Sequence, residues 1–171
     1  MVQTREHGAE VVRPEMTMGD IAFRGVAMTP ERLRKIKKGL RTLHTLELMA
    51  QNIYKFQLTK DDTELNRYLI AAMCNEMTHY QDFQVKLYEY GWRPNPLRWM
   101  FWIVGFCFGF FSKMLGRRWI LKTAVWVESL AVKHYGELLQ EIDWDDETRT
   151  VVARDWGNEK DHVRRWKSFL S

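Results

Sequence analysis

Twice in 171 residues a glutamate stands three positions before a histidine, at Glu76 with His79 and at Glu159 with His162. Residues three apart on a helix share a face, so each pair offers one oxygen and one nitrogen donor to the same point. Two further glutamates, Glu47 and Glu128, interrupt otherwise apolar helical seams. An ionised carboxylate in an apolar interior costs on the order of several kcal/mol even after relaxation, and four together also repel one another. Something cationic must offset that charge. Two divalent ions carry four positive charges against four carboxylates, and neutral imidazoles add donors without charge, so the residues point to a two-metal centre. Iron and manganese both suit a carboxylate-rich set, whereas zinc favours fewer ligands.

The elements that must position these groups can be read from caps and periodicity. Thr29-Pro30-Glu31 combines an N-cap, a proline at the first helical position and an acid at the positive end of the dipole, and predicts a helix running to about Leu58. Asp61 and Asp62 are expected to cap a second helix reaching Gly91, with Pro94 and Pro96 marking the connection that follows. After an apolar stretch over Leu97 to Leu115, Gly116 breaks the chain, a third long helix spans about Arg118 to Ile142, and Asp145 and Asp146 cap a fourth that ends near Phe169.

Each long helix carries a seam stepping by three and four: Leu40, Leu43, Glu47, Ala50 and Tyr54; Leu69, Ala72, Glu76, His79 and Phe83; Leu121, Ala124, Glu128, Ala131 and Tyr135; Val152, Asp155, Glu159, His162 and Trp166. Every seam therefore brings a carboxylate inward. One glutamate from each of two helices plus Glu-x-x-His from each of two others is the ligand set of ferritin-like di-iron and di-manganese bundles. The expected fold is thus all-α, a ferritin-like four-helix bundle over residues 29–171, with an apolar helical insertion between its second and third helices and a flexible arm over 1–28. The two halves echo each other as a duplicated helical hairpin would. Asp155, one turn before Glu159, either accepts the free ring N–H of His79 or is an ordinary early-turn acid.

Composition excludes several classes. A net charge of +4 with basic residues spread along the chain argues against nucleic acid as a partner. Cys74 and Cys107 lie in apolar stretches and read as reduced core or interface thiols, and no signal or transit pattern is evident in the first 28 residues. The run from Trp99 to Phe111 is thirteen residues without a charge, short of the roughly 20 needed to cross a bilayer as helix. Its aromatics, Trp99, Phe101, Trp102, Phe106 and Phe110, between basic residues such as Arg93, Arg98, Lys113, Arg117 and Arg118, suit a helix lying in a membrane interface. A buried core or dimer helix is the other reading, and Gly105 and Gly109 would permit close packing in either case.

The stretch His44-Thr-Leu-Glu47-Leu-Met-Ala50-Gln-Asn-Ile53-Tyr54 resembles the first-helix signature of the demethoxyubiquinone hydroxylases, di-iron monooxygenases of ubiquinone biosynthesis. Asn75-Glu76-Met-Thr-His79, Val127-Glu128 followed by His134-Tyr135, and Arg154-Asp155 with Glu159-Lys-Asp-His162 are similar to the remaining motifs, over about residues 30 to 165. The resemblance implies metal ligation by Glu47, Glu76, His79, Glu128, Glu159 and His162. It also implies a part for His134 and Tyr135 in electron transfer, O2 as co-substrate, NADH as reductant, and a quinone or lipid substrate met at a membrane surface. That surface would be the cytoplasmic face of an inner membrane or the mitochondrial matrix face, with a homo-oligomer or a partner protein of ubiquinone biosynthesis as company. Thr45-Leu46 stand where that family has a small Ala-Gly pair, and the apolar insertion is richer in Trp and Phe. The competing reading is an iron oxidase or peroxide-reducing protein of the ferritin or rubrerythrin kind, using the same ligands without an organic substrate. A metal-free membrane scaffold is the third, and it would tolerate loss of Glu128.

Overall fold

A computed structural model describes residues 15–170. Its long elements are α1 (Pro30–Gln57), α2 (Glu64–Glu89), α3 (Arg98–Met114), α4 (Arg117–Glu141) and α5 (Asp146–Ser168), with a short 3-10 turn at Met18–Asp20 and no strand among the described residues. Helices α1 and α2 form one hairpin and α4 and α5 the other, and the two hairpins meet mainly through α1 with α4 and α2 with α5. Helix α3 lies outside this bundle against α1 and α4.

Local chemistry sets the boundaries. Thr29 caps α1 by accepting from the Arg32 N–H at 3.3 Å, with Pro30 at the first position. Asp145 caps α5 by accepting from the Thr148 N–H at 3.1 Å. The cap of α2 is Thr63, not Asp61 or Asp62: its hydroxyl accepts from the Asn66 N–H at 3.1 Å. Asn66 folds back onto Thr59 and Asp61 to close a turn before the helix begins, and Asp62 is taken up by Arg67. A competing side-chain turn therefore delays the helix.

The interior is two apolar clusters with a polar layer between them. One is built on Ile36, Leu40, Leu43, Phe83, Leu87, Leu139, Ile142 and Trp144, the other on Ile53, Leu65, Leu69, Leu121, Ala124 and Trp166. Each fully buried Leu or Ile there contributes about 1.5–3 kcal/mol relative to exposure. Cys74 is exposed, two residues from both Ala72 and Glu76 and so on the opposite face of α2, which removes the core alternative from its reading as a core or interface thiol; Cys107 is half-buried.

Residues 1–14 of the arm lie outside the described residues, but the portion nearest α1 is held down. Arg24 donates through Nε to Glu89 Oε2 at 2.7 Å and through Nη1 to Asp145 Oδ1 at 3.0 Å, its backbone N–H bonds the Glu89 carbonyl at 2.9 Å, and it also pairs with Glu147. Lys86, buried on α2, joins the same network through Glu89 and Glu147. Around Arg24 the chain is thus docked on the bundle, because a buried carboxylate, Glu89, needs its cations.

Helix α3 approaches α1 at backbone distance. A Cβ at Gly105 would lie 2.6 Å from the Met49 carbonyl oxygen and one at Gly109 would lie 2.5 Å from that of Ile53. Only glycine permits that approach. Gly105, Gly109 and Ser112 are the buried residues of α3, and its other faces carry exposed Trp99, Met100, Trp102, Ile103, Phe108, Phe110 and Phe111. Trp102, Phe106 and Phe110 stack in sequence, Phe56 of α1 meets Trp102 and Phe106 edge-on, and Phe101 packs toward the core. No helix among the described residues is long and apolar enough to cross a membrane.

Candidate metal centre

Between the two apolar clusters, Glu47 of α1, Glu76 and His79 of α2, Glu128 of α4, and Glu159 and His162 of α5 are all buried. Their donor atoms fall into two overlapping groups: Glu47, Glu76, His79 and Glu159, and Glu76, Glu128, Glu159 and His162, each within 4.8 Å of one another. Glu76 and Glu159 belong to both. His79 Nδ1 lies 2.9 Å from Glu159 Oε1 and 3.7 Å from Glu47 Oε2, while His162 Nδ1 lies 3.1 Å from Glu76 Oε1 and 3.4 Å from Glu128 Oε1.

Most of the donor atoms fit metal because no hydrogen bond in the protein satisfies them. Both oxygens of Glu76 and of Glu159, Oε2 of Glu128, and Nδ1 of His79 and His162 are buried without a hydrogen-bond partner. Buried polar groups are normally paired, and orphans converging on one point mark a place for a cation. The electrostatics agree. Burial, then the neighbouring charges of Glu128 and Glu47, push Glu76 well above the usual carboxylate range, and burial with the charges of Glu76 and Glu128 does the same to Glu159. Burial pulls His79 down, but Glu47, Glu76 and Asp155 outweigh it and hold the ring up at about 9. For Glu128 burial is outweighed by Glu159, His162 and Tyr54, which bring it down to about 2. Without a cation, the upward shifts of Glu76, Glu159 and His79 favour protons in its place.

Around the donors the two halves repeat with an approximate two-fold relation. Tyr135, seven residues after Glu128, donates its hydroxyl to Glu47 Oε1 at 2.6 Å, and Tyr54, seven residues after Glu47, donates to Glu128 Oε1. Asn158, preceding Glu159, lies with its amide 3.3 Å from His79 Nε2, and Asn75, preceding Glu76, lies 3.2 Å from His162 Nε2. Phe83 and Trp166, each four residues past a histidine, pack on Tyr135 and Tyr54, and Trp166 Nε1 also donates to Glu128 Oε1 at 3.3 Å. Tyr54, Asn75, Asn158 and Trp166 were not singled out from sequence as neighbours of the centre. The signal was there, in the seven-residue offset of tyrosine from glutamate and the asparagine before each Glu-x-x-His.

Two of the expected neighbours do not bond the donors. His134 is not brought to the centre: its side chain is 37% exposed and its Nδ1 lies 3.4 Å from Glu137. Six residues past Glu128 is about 240° around the helix, whereas seven, at Tyr135, returns to within about 20° of the glutamate's face. Asp155 is buried, but its Oδ1 is 3.9 Å from His79 Nε2, too far for a hydrogen bond. Asn158 occupies that position instead, and Arg154 donates to Asp155 at 2.9 Å. Burial raises Asp155 to about 6, with His79 and Arg154 limiting the rise.

The model of the family described as "Ubiquinone biosynthesis protein COQ7" matches residues 34–167 of this chain. A relative from Polaromonas sp. (strain JS666 / ATCC BAA-500), named 3-demethoxyubiquinol 3-hydroxylase, is 29% identical over 127 residues, covering 73% of this chain and 61% of its own. One from Dictyostelium discoideum, named NADPH-dependent 3-demethoxyubiquinone 3-hydroxylase, mitochondrial, is 26% identical over 140 residues, covering 78% and 64%. A third, from Xylella fastidiosa (strain 9a5c) and named 3-demethoxyubiquinol 3-hydroxylase, is 26% identical over 134 residues, covering 78% and 62%. The chain thus spans about three fifths of the length of the curated relatives it matches. The match runs through all four ligand-bearing helices, and the chain belongs to the COQ7 family of ubiquinone biosynthesis proteins, whose fold is the ferritin-like helical bundle.

Proposed function

We propose that this protein is an O2-dependent di-iron monooxygenase that hydroxylates the ring of a demethoxyquinol at a membrane surface. The observation that carries the reading is the pair of overlapping buried ligand groups sharing Glu76 and Glu159, set one helix away from an exposed aromatic face. Glu47, Glu76, His79, Glu128, Glu159 and His162 would hold the metal between them. Bound iron supplies the reduction of O2 and the insertion of one oxygen atom into an aromatic ring.

The chain's own groups prepare that chemistry. Tyr135 and Tyr54 pin one oxygen of Glu47 and one of Glu128, which fixes the position of both carboxylates. Asn158 and Asn75 set the ring planes of His79 and His162 from behind. The apolar clusters on either side keep water from the layer. On α3, Trp99, Trp102 and Phe110 would lie among lipid headgroups and acyl chains, presenting the protein to a substrate whose tail is itself in lipid. A reduced nicotinamide dinucleotide is the electron source in this reading: the Dictyostelium relative is named as NADPH-dependent, and NADH is the donor that the family resemblance implies.

The test is mass spectrometry of a demethoxyquinone analogue incubated with metal-quantified protein, reduced nicotinamide dinucleotide and labelled O2. A gain of one labelled oxygen that disappears in Glu128→Ala is the expected result. Iron-loaded protein that consumes O2 or peroxide without labelling the ring would replace the hydroxylase with the ferritin- or rubrerythrin-like oxidase.

A further inference from the structure

At the end of the bundle where α3 turns into α4, a groove of about 670 Å³ opens between the start of α2, the start of α4 and the end of α5. Three arginines line it, Arg67, Arg117 and Arg165. Arg67 is committed to Asp62 through two bonds of 2.6 and 2.8 Å. Arg117 lies 5.9 Å over the Phe169 ring, and Arg165 stands beside Tyr68 and feels Asp161, which is itself paired with Arg164. The Tyr68 hydroxyl is buried, and its proton has no acceptor; arginine, which only donates, cannot provide one. On the other side of the ledger stands the exposed carboxylate of Glu64. The groove is therefore rich in donors and positive charge, over an aromatic floor in which Tyr68 packs on Trp166 and Phe169 with centroids 4.3 and 5.5 Å apart.

Its location restricts what would fill it. The residues just before and after Arg117 are the end of the exposed apolar face: Met114 is 69% exposed, Leu115 60% and Trp119 47%. An acceptor-rich group reaching the groove from that side arrives with an apolar neighbour. We propose that the groove binds the phosphate of an anionic lipid headgroup, held by Arg117 and Arg165, while the α3 face lies among the acyl chains. Bidentate guanidinium geometry suits phosphate oxygens. This assignment rests on the membrane-surface reading of α3 and adds to it a defined site with a preference for charge. Because Trp166 touches both Tyr68 and Glu128, the site also adjoins the metal layer through one side chain.

The experiment is vesicle co-sedimentation of the full chain with phosphatidylcholine alone and with phosphatidylcholine doped with phosphatidylglycerol. Wild type is compared with Arg117→Ala/Arg165→Ala, with the double lysine variant, and with Lys160→Ala/Arg164→Ala as a control of equal charge on a neighbouring face. Circular dichroism checks that each variant is folded. Each arginine near an anionic surface contributes enough that loss of both should lower partitioning onto doped vesicles about 25-fold. Binding to phosphatidylcholine should stay unchanged, the lysine variant should retain part of the gain, and the Lys160/Arg164 control should lose much less. An anionic gain that survives in Arg117→Ala/Arg165→Ala, or falls equally in the control, overturns the site while leaving the membrane reading of α3 standing. Failure of wild type to bind either vesicle overturns both. As a final arm, NMR shifts of the Arg117 and Arg165 Nε–H groups should respond to a short-chain phosphatidylglycerol and not to inorganic phosphate at the same concentration. An equal response to both would make the ligand a soluble phosphate compound and overturn the lipid assignment.

Discussion

Replacing Gly105 or Gly109 with alanine sets two effects of opposite sign against each other. Alanine in a helix interior is favoured over glycine by about 0.8–1.0 kcal/mol. At both positions the new Cβ would meet a backbone carbonyl of α1, at 2.6 Å from Met49 O and 2.5 Å from Ile53 O, with Asn52 Cβ and Phe56 Cβ each 2.9 Å away. A backbone carbonyl cannot rotate aside as a side-chain tip can, so α3 must move off α1 by several tenths of an ångström along its whole contact. Overpacking of that kind costs about 1–3 kcal/mol, leaving a net loss of about 0–2 kcal/mol for one substitution and more for the pair. Gly157 is the internal reference. It sits within α5 with nothing within 4 Å of a built Cβ, so Gly157→Ala should stabilise by about 0.5–1 kcal/mol. Urea unfolding of metal-free protein, read by helical circular dichroism, measures all three on one scale. If Gly105→Ala and Gly109→Ala gain stability as Gly157→Ala does, α3 is not seated on α1 at backbone distance, and the placement of its aromatic face fails with it.

Metal-free protein should lose stability as pH rises. Glu76 and Glu159 are raised above their ordinary value, Asp155 from 3.8 to about 6, and His79 from 6.5 to about 9. The folded state thus binds more protons than the unfolded state, and the histidine's contribution, fully present below 6.5, is gone above about 9. Adding a divalent metal should reverse the slope, since its ligands must be deprotonated; thermal unfolding at pH 6 and pH 9 with and without metal checks both signs. Tyr135→Phe removes the hydroxyl that pins Glu47 and should weaken metal binding about 10–100-fold with little change in helix content, measured by competition with a chelator. Arg24→Ala leaves the buried Glu89 short of a cation and should destabilise by about 3–5 kcal/mol, reduced to the extent that Lys86 compensates, in the same urea assay. An effect under 0.5 kcal/mol would mean that the segment around Arg24 is not docked in solution.

Much of this protein is legible in one dimension because helical periodicity is a local property. Once Leu43, Glu47 and Ala50 step by four and three, the glutamate must share their buried face, and the same holds for Glu76 with His79, Glu128, and Glu159 with His162. Spacing along a helix therefore implies both the bundle and the convergence of six donors. The apolar run was likewise visible as a helix too short to cross a bilayer, and its basic flanks were evident.

Whatever depended on the relation between helices was decided by tertiary structure. Which group meets His79 Nε2 turns on the rotation of α5 against α2, and a difference of one turn places Asn158 there and leaves Asp155 at 3.9 Å. The crossed bonds of Tyr135 to Glu47 and Tyr54 to Glu128 exist because α1 and α4 face each other, a fact no single-helix pattern contains. Thr63 won the cap of α2 from two aspartates through a turn closed by Asn66, and Arg24 found its carboxylates on α2 and at the start of α5. The donor-lined groove is assembled from the ends of three helices, α2, α4 and α5. Sequence spacing encodes which face a side chain occupies; only packing decides what stands opposite.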